Sequence, residues 1–255
     1  MRAALELEAL KMRRAGAPRV AGLAVVLGVP GLAAAFMAAA STGGESPMAM
    51  KVRPMLQGEG WEAYLGLVGQ LFSVGLLLAV GVVVGWSFGR EHTDGTFGSL
   101  FALPTSRRQV AGAKFVALLG WALLVSSAAV LLAVALGPVV GAGPFGPGLV
   151  VPAGRALLVA LLTVALTAPL ALVASSARGY LPAVGVLIGI VVATQVATVA
   201  GAGAWFPYAA PGLWSGMGGA TLADTVTAVQ LMTVLPVLAL GVASTVWWWD
   251  RAQVV

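Results

Sequence analysis

The chain has 255 residues, 60% of them hydrophobic and only 9% charged, with a mean hydropathy of +0.98 and a formal charge of +5. A soluble domain carries about 25% charged residues, so there is too little polar surface here to cover a water-soluble globule, and the surroundings must be largely lipid. Cysteine is absent, which excludes a disulfide framework, a thiolate nucleophile and a cysteine metal cluster. The basic excess reads as residues held on the cytoplasmic side of a membrane rather than as a nucleic-acid patch.

Residues 1–19 predict a short helix on the inner leaflet, broken at Gly16 and Pro18 before the first span. Its apolar face is not clean: Leu5 and Met12 share a side, whereas Leu7 and Leu10 point elsewhere. A cleaved signal peptide fits less well. Glu6 and Glu8 interrupt the basic region, and the apolar run that follows exceeds the usual length of about 7–15 residues.

A transmembrane helix needs about 20 apolar residues to cross about 30 Å of hydrocarbon. Six stretches qualify, near Val20–Ala40, Tyr64–Gly89, Phe115–Val140, Ala156–Ala174, Leu181–Ala202 and Val226–Trp249. Between them, Ser41–Ala63 and Gly141–Gly154 read as plain loops and Ser175–Tyr180 as a tight turn. Residues 203–225 make a longer loop whose Trp205, Phe206, Tyr208 and Trp214 suit the membrane–water boundary. Such a loop can dip back as a re-entrant hairpin only where it packs against protein. Pro169 and Pro236 are expected to kink the fourth and sixth spans.

With the N-terminus inside, the inner side holds Arg2, Lys11, Arg13, Arg14, Arg19, Arg90, Arg107, Arg108, Lys114, Arg178 and Arg251, and the outer side only Lys51, Arg53 and Arg155. The positive-inside rule therefore places both termini in the cytoplasm. Trp247–Trp249 with Arg251 is expected to anchor the inner boundary, and Trp61 with Tyr64 the outer one.

The polar chemistry concentrates in residues 90–113, between the second and third spans. Phe97, Leu100 and Phe101 fall at i, i+3 and i+4, one face of a short helix limited by Pro104. Ser106 and Gln109 have capping-box spacing and predict a new helix running into the third span. Arg107 and Arg108 then sit in a first turn, the wrong end for positive charge. Lipid phosphates or the carboxylates of Glu91 and Asp94 are candidates to favour them. A short helix with an apolar stripe, a carboxylate at its start and Gly95 and Gly98 for close approach suits a groove on a soluble partner. The plainer alternative has Phe97 and Phe101 lying in the inner interface.

This stretch resembles the signature of permease subunits of type-2 ABC exporters: Phe88, Glu91, Gly95-Thr96, Leu103-Pro104, Ser106-Arg107 and then Lys114 opening the next span. The layout of six spans, an N-terminal interfacial helix and a bulky loop before the last span is similar too. The resemblance implies a coupling helix within residues 90–113 that docks on an ATP-hydrolysing subunit. Glu91, Asp94, Gly95, Thr96, Phe97, Leu100, Phe101, Arg107 and Arg108 are the residues concerned. It also implies that Lys51–Glu62 and residues 203–225 form an outer gate. ATP and Mg are expected on that partner subunit, with no cofactor held by this chain. Two ATPase copies and a second permease copy or paralogue are the implied partners. The chain departs from the pattern in one place: its first helix lacks a strong amphipathic face.

No Asp, Glu, Lys, Arg or His falls in the middle of a span, which argues against proton- or sodium-coupled transport. The phosphate-loop motif is also absent, so ATP, if it drives the chain, is hydrolysed elsewhere. The match GWSFG at Gly85–Gly89 ends a membrane helix and lacks the strand that a hydrolase elbow needs. Gly81, Gly85 and Gly89, and likewise Gly185 and Gly189, recur every four residues and predict close helix packing, one set within the chain and the other at a dimer seam. Gln70, Gln195, Thr163 and Thr167 are span residues suited to interhelical hydrogen bonds or to a substrate pathway. The sequence thus reads as an all-α, six-span membrane permease of one domain that exports an apolar or amphipathic substrate. The rivals are a lipid-acting membrane enzyme and a non-transporting scaffold or sensor.

Overall fold

The computed structural model describes residues 2–41, 47–96 and 105–251, which are all-helical apart from turns and loops. The expected apolar stripe of Phe97, Leu100 and Phe101, with Pro104, lies outside the described residues. Six helical stretches are long and apolar enough to cross a membrane, in the places that hydropathy predicts. Helix α1 (Arg2–Arg14) lies beside the bundle and α2 (Gly16–Ser41) is the first span. The second span is α4 (Gly60–Leu71) continued by α5 (Leu77–Thr93) through a single π turn at Phe72–Leu76.

The connection before α4 is not the plain loop expected: α3 (Pro47–Val52) and a 3₁₀ turn at Arg53–Met55 occupy it, and Ala49 and Val52 are buried. The third span is α6 (Arg107–Leu136). The fourth begins earlier than expected, at Val150, and divides into α7 (Val150–Leu166) and α8 (Pro169–Ser176). Pro169 carries no backbone N–H, so the ladder breaks there, as expected.

Helix α9 (Tyr180–Val199) is the fifth span. The loop after it carries α10 (Ala210–Trp214) and α11 (Ala220–Ala223). The sixth span is α12 (Ala228–Met232) followed by α13 (Val234–Arg251).

The second span is the hub, with 67% of its apolar window buried, against 11% for α9. Its glycines explain how other helices reach it. A Cβ at Gly89 would stand 2.6 Å from the backbone of Gly179 and Tyr180, and one at Gly81 would stand 2.8 Å from Leu187. Gly85 faces Ala183 in the same seam. This glycine row is therefore filled within the chain by the α8–α9 turn and by α9. Gly185 and Gly189 lie on the far side of α9, and a Cβ added at either would meet no atom of the chain within 4 Å.

Trp61 and Tyr64 are not boundary anchors, being 8% and 0% exposed. The Trp61 ring packs over Gly137 and its Nε1 donates to the Pro144 carbonyl at 2.9 Å, so it joins the second span to the end of the third. At the other end of the bundle Trp249 is fully buried and its Nε1 donates to Ser175 Oγ at 2.9 Å. Only Trp247 of that trio is strongly exposed, with the Arg251 guanidinium 4.5 Å from its ring.

We expect Gly89→Ala to cost about 1–3 kcal/mol, because the backbone it meets cannot rotate away as a side chain can. Gly185→Ala should stay within about 0.5 kcal/mol. Unfolding of the detergent-solubilised chain measures both; equal effects would contradict this assignment of the two glycine rows.

Candidate functional site

Four charged side chains from three elements meet at the bundle end where α1 lies and α13 finishes. Glu8 and Lys11 come from α1, Glu91 from the last turn of α5, and Lys114 from about two turns into α6. Lys114 is 1% exposed, Glu91 3% and Glu8 4%. Lys114 Nζ donates to Glu91 Oε1 at 2.8 Å, Glu8 Oε2 at 3.0 Å and the Ser87 carbonyl at 3.0 Å. All three of its protons therefore have acceptors. Lys11 Nζ reaches Glu8 Oε1 at 2.7 Å and Glu91 Oε1 at 3.1 Å. Two ammonium groups and two carboxylates balance formally. The rings of Phe88 and Trp249 each stand 5.9 Å from Lys114 Nζ and wall the cluster off.

The local sequence dictates this convergence. On α1, positions 4, 8 and 12 share one face and are its buried residues. That face carries Ala4 and Met12 with a carboxylate between them, so it is amphipathic only once Glu8 is paired. Leu7 and Leu10 point away, 46% and 41% exposed. Burial opposes the charge of Lys11, but the Glu8 hydrogen bond and the Glu91 and Glu8 charges outweigh it and raise its pKa.

The residues proposed from sequence to face a partner divide. Glu91 turns inward, onto the lysines. Arg90 Nε stands 3.5 Å from Asp94 Oδ2 in an i,i+4 pair, and its guanidinium lies 4.7 Å from the Trp86 ring. Gly95 takes φ +67° and turns the chain off the end of α5, with Thr96 following it. Beyond 97–104, Ser106 caps α6 by accepting from the Gln109 N–H at 3.4 Å. Arg107 Nη2 donates to the Asp250 carbonyl at 2.9 Å. The first-turn arginine that looked misplaced thus donates to the C-terminal end of α13. Arg108 is exposed.

The polar span residues also divide. Gln70 is buried, with Nε2 donating to the Met55 and Ser215 carbonyls at 2.9 and 3.3 Å. It ties the 3₁₀ turn at Arg53–Met55 and the segment after α10 to the last turn of α4. Thr163 and Thr167 donate to the carbonyls of Val159 and Val164 in their own helix. Gln195 differs: it lines a cavity of about 180 Å³ among α9, α10 and the π turn. Ser73, Thr194, Thr198 and Tyr208 join it there. The π turn, which sequence reading missed, offers Ser73 to this cavity; such turns often mark functional positions. A second cavity of about 310 Å³, lined by Val80, Phe115, Leu161 and Leu238 among others, offers Thr167 as its one hydroxyl. No cluster of three His, Cys, Asp or Glu able to hold a metal ion occurs among the described residues.

The family of ABC-2 family transporter proteins matches this chain over residues 4–196, which includes the whole charge cluster, the first four spans and most of the fifth. No curated protein matches it.

Removing one member of a buried pair leaves a charge without its counter-charge, so Lys114→Met should cost about 3–5 kcal/mol. Adding Glu91→Gln should recover part of that loss, as unfolding of the double variant would measure. For Lys11 the sign follows from a raised folded-state pKa. Its contribution is complete below the ordinary lysine value of 10.5 and fades as pH climbs through the raised one. Labelling of Ala4→Cys, divided by the rate for the unfolded chain at the same pH to remove thiol ionisation, should therefore stay slow across the neutral range and accelerate only in strong alkali.

Proposed function

Because the chain belongs to the ABC-2 transporter family, we propose that this multi-pass permease is the membrane-spanning half of an ATP-driven exporter. Hydrolysis is assigned to a separate subunit that binds ATP and Mg, and two copies of each chain form the machine. The charge cluster carries the reading. Residues 97–104 join α5 to α6, and both flanks are fastened to one rigid unit: Glu91 on one side and Lys114 on the other, with α1 clamped across them. A push delivered to those flanks has no slack in which to dissipate. It passes into the hub span and the third span together.

Sidedness follows from the charge asymmetry: the bundle end that holds the cluster also holds most of the basic residues, so it faces the cytoplasm in this proposal. The absence of an ionisable group in mid-span supports an outside energy source over ion coupling. The cargo is assigned to the face of α5 and α9 that contains the 180 Å³ cavity, where hydroxyl and amide groups stand among Val74, Leu77 and Leu213. Such a lining suits an amphipathic molecule. Gly185 and Gly189 on the far side of α9 suit the second permease copy. The helices of residues 203–223 pack on the hub through Gly212 against Ser73 and serve as the gate at the far end.

Neither rival gains a comparable observation. A lipid-acting enzyme needs an accessible acid, base or metal, whereas Glu8, Glu91 and Lys114 are sealed and mutually paired.

Co-expression with a candidate ATPase subunit tests the proposal. Phe97→Asp should weaken co-purification of that subunit by about 2 kcal/mol or more if Phe97 anchors it. Thr194→Trp should block transport by filling the cavity while leaving the complex intact. Unchanged co-purification and transport in Phe97→Asp would reject the docking assignment.

A further inference from the structure

Beside the charge cluster, an open polar cavity of about 410 Å³ lies between α1 and α5. Lys11, Arg14 and Arg90 supply three cationic groups to it, and Asp94 the single carboxylate. Lys11 is committed to Glu8 and Glu91. Arg90 shares its Nε edge with Asp94 and rests on Trp86, which leaves its terminal nitrogens for another acceptor. Arg14 has no carboxylate within ion-pair distance among the described residues. The cavity therefore has net positive charge and donors without acceptors.

Its walls also fix the kind of anion. Leu7, Leu10 and Arg14 fall at i, i+3 and i+7, one exposed stripe along the flank of α1, beside the buried face of Ala4, Glu8 and Met12. Two exposed leucines lead directly to an arginine, and Leu10 and Trp86 line the cavity itself. A free anion has no use for that apolar approach, whereas a lipid presents an acyl region and a phosphate in the same order. We propose that this cavity binds the phosphate of an anionic phospholipid, with Arg14 and Arg90 on the phosphate and Leu7 and Leu10 against the lipid body. Basic pockets between membrane helices hold lipid headgroups in this manner.

The experiment uses the full chain, detergent-solubilised, offered an equimolar mixture of phosphatidylglycerol and phosphatidylcholine, with retained lipid read by native mass spectrometry. The wild-type chain should keep phosphatidylglycerol preferentially. Arg14→Gln with Arg90→Gln should lower that preference about 25-fold, at about fivefold per arginine. Arg2→Gln with Arg178→Gln, which removes equal charge from exposed positions elsewhere, should leave it unchanged. Thermal unfolding of each variant confirms that it remains folded. An equal loss in both double variants would overturn the site in favour of diffuse surface attraction. No preference in the wild type, or displacement of the lipid by inorganic phosphate with the phosphate bound in its place, would overturn the lipid assignment. Because the readout is bound lipid, its failure leaves the transporter reading untouched, and loss of ATPase coupling leaves this site untouched.

Discussion

A lysine ammonium fully removed from water, held by two carboxylates and one carbonyl, sets the terms for this end of the molecule. An unpaired charge in such a place is prohibitively costly, so Lys114 can be buried only if Glu8, Glu91 and the Ser87 carbonyl are all in position. The geometry is thus collective. Helix α1 cannot drift without stranding Lys114, and α5 and α6 cannot separate at this level without exposing it. Buried ion pairs are often no more stabilising than apolar contacts would be, but they are far less tolerant of misalignment. In a bundle where Ala, Val and Leu could pack in several registers, the cluster selects one.

The rest of the bundle uses a different device. Around the hub span, fixed distances come from absent side chains: Gly81, Gly85 and Gly89 let the α8–α9 turn and α9 approach until backbone meets backbone. Tryptophans lock the two ends, Trp61 through the Pro144 carbonyl and Trp249 through Ser175. Regular helix is interrupted within the spans at the π turn of Phe72–Leu76, at Thr167–Ala168 and at Thr233. The cavity with hydroxyl and amide groups lies at the first of these interruptions. Rigid ends and an irregular middle are a reasonable division of labour for a protein whose family moves cargo.

Hydropathy made the spans legible, because length and apolarity are one-dimensional properties. The N-cap at Ser106 and the break at Pro169 were equally local and equally readable. The charge cluster was not, since its members are scattered from Glu8 to Lys114 and each has a satisfactory solitary explanation. Lys114 counted as one more inner-surface cation. Glu8 counted only as an interruption of a basic segment, when it is the centre of a buried face whose partners lie on other helices. Trp61 and Tyr64 resembled boundary anchors by composition, yet both are buried against neighbouring helices. The two glycine rows were indistinguishable by spacing; only the position of the α8–α9 turn separates the filled row from the open one. Arg107 posed a sensible puzzle from sequence, and its answer, a carbonyl at the end of α13, came from 143 residues away.

The separation of Glu8 and Lys114 by 106 residues bears on how the chain is made. When a ribosome has delivered the first two spans to the membrane, Glu8 and Glu91 face each other as like charges with Lys11 as their only shared counter-ion. The seating of α1 therefore depends on a side chain 106 residues further along the chain, because Lys114 supplies the second ammonium that the two carboxylates share.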